Sequence, residues 1–300
     1  MEEIDDEPRA QAGGQRVTQI KASIQASNER VDSYVVPLIT GLVTPKGDHP
    51  LKAKCVEGTG FLLSGGRGLG VTARHVAQAM LAACTSLDVL YARIDTIDEV
   101  SIPTAGFVGD DGYFRSAPVM AFDLHPTEDV ALFRLPDDDY YSPYTITTAQ
   151  HFGGADYGLW GYPDDVRYDY YAEDNLKLNV PLVFSAGHIR RRISTSLPIN
   201  TVRGQKFYEL SAPAGACSSG APVAVRHQPW QVIGLYVGER RNESGTFSVG
   251  FATRSEAIAE HWPQLVDGSD LTGLCPLPQP AVDGAGAAQF WAEVNSHSDG

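Results

Sequence analysis

Positive charge is scarce in this sequence. Its 300 residues hold 23 Lys and Arg against 37 Asp and Glu, a formal net charge of −14. A surface that negative repels phosphate backbones, so nucleic acid is not an expected partner. Cysteine is scarce too. Cys55, Cys84, Cys217 and Cys275 are scattered and none forms a CxxC pair, which argues against a zinc site. A chain of this length can bury a full core without disulfide staples. No apolar run approaches the length of a membrane span, and the opening MEEIDDEPRAQAGGQ has no apolar core of a secretory signal. The expected compartment is therefore the cytoplasm, with the cysteines as free thiols and no membrane partner. No repeat of 20–50 residues is evident.

What the chain does contain is short β segments broken by turn residues. Examples are SYVVPLITGLVT, VEGTGFLLS, LGVTARHV, VLYARI, DVALFRL, YGLWGYP, VPLVFSAGHI, FYELSA, APVAV and QVIGLYVG. They are rich in Val, Ile, Leu, Phe and Tyr, with Gly, Pro or Asp between them. Many short strands without regular intervening helices indicate an all-β barrel or sandwich. Two segments break the pattern: HVAQAMLAAC has helical spacing, and SEAIAEHWPQLV predicts a terminal amphipathic helix. Residues 1–31 form a polar extension in which Arg16 to Arg30 could make a loose helix with a thin apolar face. The tail, 269–300, is rich in Gly, Ala, Pro and Ser and reads as flexible.

Three stretches carry chemistry: GTGFLLSGGRGLGVTARHV, HPTEDVALFRL and APAGACSSGAPVAV. A serine hydroxyl needs a base within hydrogen-bond reach. An imidazole suits that task near neutral pH, and a buried carboxylate fixes its tautomer. The three stretches together resemble the trypsin-like peptidases, particularly bacterial members without the family's extracellular disulfides. Thr72, Ala73 and His75 match the strand end that supplies the base. Asp129 to Leu132 match the strand that supplies the acid, and Ser219, Gly220 and Pro222 match the nucleophile turn. The resemblance covers roughly residues 32–266. It implies two six-stranded antiparallel β-barrels of the chymotrypsin-like type with a C-terminal helix. Barrel one would span 32–150 with His75 and Asp129, and barrel two 151–268 with Ser219. It further implies peptide hydrolysis through an acyl-enzyme on a protein or peptide substrate, with no metal or cofactor. The backbone N–H groups of Cys217 and Ser219 would form the oxyanion hole. Pro213, Ala214, Tyr236, Val237 and Gly238 would line the substrate pocket.

The sequence also departs from that pattern. Cys217 stands where the family usually has Gly. Gly215-Ala216-Cys217 resembles the G-x-C of viral cysteine proteases on the same fold, which makes Cys217 an alternative nucleophile, although Ser219-Gly220-Ala221-Pro222-Val223 keeps the serine spacing. A second alternative is a catalytically inactive protease-like module that binds a partner in its cleft. Pro213 replaces the carboxylate that selects Arg or Lys, so cleavage after small or medium uncharged residues is expected. Ser218 replaces the Asp that pairs with a new N-terminal amine in secreted relatives, so regulation by a protein partner or by the N-terminal segment is the alternative to such activation. The basic run His188 to Arg192 reads as a solvated strand end or an anion site. Asp137 to Tyr141 and Tyr162 to Asn175 read as solvated or partner-facing loops.

Overall fold

The computed structural model describes residues 31–43, 52–65, 68–85, 100–108, 114–136, 140, 142–164, 181–241, 244, 248–259, 262, 264–266 and 271–274. The VLYARI segment, most of Asp137 to Tyr141, the 165–175 part of the second acidic stretch and nearly all of both termini lie outside these residues.

Two curled β-sheets make up the fold. The first holds β1 (Val35–Val43), β2 (Lys52–Leu62), β3 (Leu69–Thr72), β4 (Val100–Val108), β5 (Phe114–Pro118), β6 (Ala121–Leu124) and β7 (Ala131–Arg134), in the order β5-β4-β1-β2-β3-β7-β6. Strands β5 and β6 are separated by Val119 and Met120 alone, yet they form opposite edges of the sheet. The sheet must therefore curl until its edges meet at that bend. Val119 N–H donates to Pro103 O beside one edge and Met120 N–H to Arg134 O beside the other. This unit is a seven-stranded half-barrel and not the expected ring of six. Pro118, at the end of β5, has no N–H to offer a closing ladder.

The second sheet holds β8 (Thr145–Ile146), β9 (Asp156–Gly161), β10 (Val183–Ile193), β11 (Phe207–Leu210), β12 (Pro222–Val225), β13 (Gln228–Arg241) and β14 (Ser248–Arg254). Their order is β12-β9-β10-β11-β14-β13-β8, and β12 also pairs with β13, which closes a six-stranded barrel. Strand β8 is appended to it in parallel through Gln231 and Val232.

Helix α1 (Arg74–Ala83) starts directly after β3, as its spacing predicts, and buries Val76, Ala77 and Met80. The expected terminal helix over 255–266 is corrected. Among the described residues there, α2 (Ser255–Ile258) and a 3-10 turn (Gln264–Val266) form in place of one continuous helix. The tail expectation is also revised at its start: α3 (Leu271–Leu274) is ordered and Leu271 is fully buried.

The barrels are tied together by hydrogen bonds. Glu128 Oε2, from the first, accepts the N–H groups of Gln205 and Lys206 of the second at 3.0 and 3.3 Å. Tyr162, read from sequence as part of a solvated loop, is instead fully buried, and its hydroxyl donates to Val35 O at 2.9 Å. Inside the first unit Phe133 packs where β2 and β3 each lack a side chain. A Cβ on Gly70 would sit 2.1 Å from Phe133 Cζ, and one on Gly60 would sit 2.8 Å from Cε1. Gly70→Ala is therefore expected to destabilise by about 1–3 kcal/mol, as overpacking does. Adding Phe133→Leu should return part of that loss, a non-additivity measurable by urea denaturation of both single variants and the pair.

Candidate active site

His75 follows β3 by three residues and is the second residue of α1, so the strand delivers it and the helix fixes its backbone. Asp129 precedes β7, the neighbour of β3. The antiparallel register Thr72↔Ala131 places the two ends side by side. Asp129 is 1% exposed and grips His75 twice. Its Oδ1 accepts His75 N–H at 3.0 Å and its Oδ2 lies 2.7 Å from Nδ1. This leaves Nε2 as the ring nitrogen available for proton transfer.

Ser219 sits in a tight turn before β12. Ser218 N–H donates to Gly215 O, Ala221 N–H to Ser218 O, and Gly220 N–H to Tyr236 O. Gly220 has φ +98°, and a Cβ there would lie 1.8 Å from Thr59 O, so only glycine fits. The turn is docked on the β2–β3 pair that leads to His75. Thr59 N–H donates to Ser219 O at 2.8 Å, and Thr72 Oγ1 donates to Thr59 O at 2.7 Å. His75 and Asp129 of the first unit and the Ser219 turn of the second are thus linked through the same β2–β3 pair.

Cys217 has φ +61°, the one positive value outside glycine among the described residues. This explains the expectation of Gly at that position. Three bonds hold its surroundings. Asp164 N–H donates to Ala216 O at 3.0 Å, Thr59 Oγ1 donates to Cys217 O at 2.9 Å, and Ser218 Oγ donates to Ala214 O at 2.7 Å. A planar trans peptide sets its N–H opposite its C=O. With Ala216 O committed to Asp164, Cys217 N–H points the other way, and no backbone carbonyl of the described residues accepts it or Ser219 N–H. The Ser218 hydroxyl thus braces this turn from within.

The Cys217 thiol is directed at β2. Its Sγ lies 3.4 Å from Val56 O, and burial, with Asp164, Cys55 and Glu57 adding to it, pushes the thiol up to about 11. An activated thiol needs the opposite shift.

Ala214 and Tyr236, both expected from the sequence to line a substrate pocket, are in contact. Tyr236 is fully buried and its hydroxyl accepts Ala214 N–H at 3.0 Å. Burial pushes its phenol up, so it stays protonated and donates to Glu239 Oε2 at 3.2 Å. Gly215 N–H donates to the same oxygen at 3.2 Å. Glu239 therefore lies against Gly215 and Tyr236, where the sequence offered no neighbouring carboxylate. Simple alternation along β13 would put Glu239 on the face opposite Tyr236. A bulge at Val237 resets the register, however, so that Tyr236 opposes Ala252 and Glu239 opposes Gly250. Positions 250 and 252 share one face, and so Tyr236 and Glu239 do as well. Val237 is buried at the bulge, and Gly238 lies beside Val202.

These features define a two-barrel β protein with a carboxylate-oriented imidazole beside a serine turn. The sequence profile of the trypsin-like peptidase domain matches residues 58–235, more than half of the 300-residue chain. The chain belongs to the trypsin-like peptidase family, a family of proteases. No curated protein matches it. Among solved structures, a variant of the HtrA-type protease AlgW with decapeptide is 15% identical, with a TM-score of 0.52 over 83% of this chain and 68% of that one. The Rv3671c protease from M. tuberculosis, active form, is 17% identical with a TM-score of 0.46, over 96% and 98% of the two chains. Deg5 is 16% identical with a TM-score of 0.47, over 86% and 94%.

The thiol's environment sets its reactivity. Alkylation of Cys217 by iodoacetamide, read site by site by mass spectrometry, should be slow at pH 7 and climb about tenfold per pH unit toward pH 11 as the thiolate forms. Fast labelling at pH 7 that disappears in His75→Ala would identify a catalytic thiol instead.

Proposed function

We propose that this protein is a serine endopeptidase. His75 acts first as general base toward Ser219 Oγ and then as general acid toward the leaving amine. Asp129 holds the imidazole tautomer and stabilises the imidazolium that forms. The Cys217 and Ser219 N–H groups receive the oxyanion of each tetrahedral intermediate. The acyl-enzyme on Ser219 is then hydrolysed by water. The observation that carries this reading is the double grip of buried Asp129 on His75, at 3.0 and 2.7 Å, on the strand pair that also docks the Ser219 turn. Free thiols at Cys55, Cys84 and Cys217 fit a reducing compartment, in keeping with a cytoplasmic protease.

A fluorophosphonate probe tests the assignment. It should label the native protein at Ser219 and leave Ser219→Ala unlabelled. Asp129→Asn, which keeps the shape but not the tautomer, should lower kcat by about 10⁴-fold. A correctly folded native protein that takes no label would instead be a cleft used for binding. Labelling that survives Ser219→Ala would move the nucleophile elsewhere.

The substrate side chain at the cleaved bond is read from Glu239. Its Oε1 is held by exposed Arg241 at 2.7 Å, so a guanidinium or ammonium already fits that oxygen. A substrate Arg or Lys would take the same place. Profiling with a peptide library should therefore favour basic residues at the cleaved bond. Glu239→Gln should reduce kcat/KM for such substrates by about 10–100-fold, the worth of a charge-assisted hydrogen bond of about 1.5–3 kcal/mol. A preference for small uncharged residues that Glu239→Gln leaves unchanged would restore the sequence-derived expectation.

A further inference from the structure

The basic run singled out in the sequence has a place in the fold. Arg190 and Arg191 are consecutive, yet both reach Glu209 on β11. A register shift between Ile189 and Arg191 lets the bulged Arg190 bond Oε1 at 2.8 Å while Arg191 holds Oε2 at 2.7 Å. Glu209 is 6% exposed, so one buried carboxylate anchors two guanidinium groups. Arg240 of β13 comes to the same place from across the barrel. The four charges border a cavity of about 720 Å³. Among the described lining residues, three cations stand against one anion, on a chain whose net charge is −14. Arg191 and Arg240 are both exposed, and no carboxylate of the described residues pairs with Arg240. The rest of the lining is largely apolar, with Ile193 and Leu197 on one side and Val249 and Phe251 on β14. A cavity of this size lies within the range of small-molecule and peptide sites, and its mixture of lining and charge dictates the ligand.

We propose that this cavity is a binding site for a carboxylate carried on an apolar body, separate from the serine site and independent of the proteolytic reading. The carboxylate would accept the guanidinium fork of Arg240, whose planar donors suit that geometry, and the Nη1 of Arg191, whose Nε and Nη2 are held by Glu209. The apolar body would lie along Ile193, Leu197, Val249 and Phe251. Glu209, already bonded by two arginines, positions them and is not the ligand-binding group. Two sources supply this chemistry, a peptide C-terminus ending in an apolar residue and a fatty acid.

Isothermal titration calorimetry on the full-length Ser219→Ala chain, which removes the proposed attacking oxygen, distinguishes these cases. The probes are acetyl-alanyl-alanyl-leucine, its C-terminal amide, and octanoate. The peptide acid should bind at least about tenfold more tightly than the amide, because the amide cannot engage the guanidinium groups ionically. Arg240→Ala should weaken the acid by a similar factor, and Arg240→Lys should recover part of it. Binding of octanoate but not of the peptide acid, with the same dependence on Arg240, keeps the carboxylate site and assigns it to a lipid-derived acid. Equal binding of acid and amide, no binding of either acid at millimolar concentration, or indifference to Arg240→Ala overturns the proposal. Because the acid–amide comparison uses one unchanged protein, it stays decisive if an arginine variant folds poorly.

Discussion

Thr59 joins the two barrels where their chemistry meets. It is wholly buried and every polar atom it owns is committed. Its N–H donates to Ser219 O, its hydroxyl donates to Cys217 O and accepts Tyr162 N–H, and its carbonyl accepts the Thr72 hydroxyl. Four bonds from one residue of β2 therefore reach the Ser219 turn, the Cys217 peptide, the end of β9 and the end of β3. A buried polar group without its partner costs more than the bond is worth when made. The arrangement is thus close to all-or-none, and it holds Ser219 and His75 in one frame although they lie in separate barrels.

The Cys217 peptide shows how local strain is held by the fold. A side chain at φ +61° is disfavoured. Local bonds from Ser218 to Gly215 O and Ala214 O brace the turn, and tertiary bonds add to them. The carbonyl before Cys217 is held by Asp164 and the carbonyl after it by Thr59, so the peptide on each side is fixed in direction. The same contacts bury the thiol and make it a weak acid, which separates the two candidate nucleophiles by environment.

Much of the site was legible in the sequence because its parts are local. His75 stands at a strand end, Asp129 opens an apolar strand, and Ser219-Gly220 forms a turn whose glycine has φ +98°. Each is a short pattern tied to backbone geometry. The six-on-six barrel count was less legible, since the closure of the first unit turns on a two-residue bend at Val119–Met120 that pattern reading passes over. Strand β4 was not read as a strand either. It carries Pro103 and Gly106, which propensity counts against it, and it is held by its ladders to β1 and β5.

Sequence by itself determined the all-β character, the helix after His75 and which residue types could supply base, acid and nucleophile, because strand periodicity and turn chemistry are short-range properties. Only the tertiary structure decided which groups converge. Glu239 reaches the Tyr236 hydroxyl and Gly215 N–H through one extra residue at Val237, and Arg190 joins Arg191 on Glu209 through one register shift. A bulge of one residue exchanges the faces of everything beyond it, and alternation read along a single strand carries no record of where its partner slips.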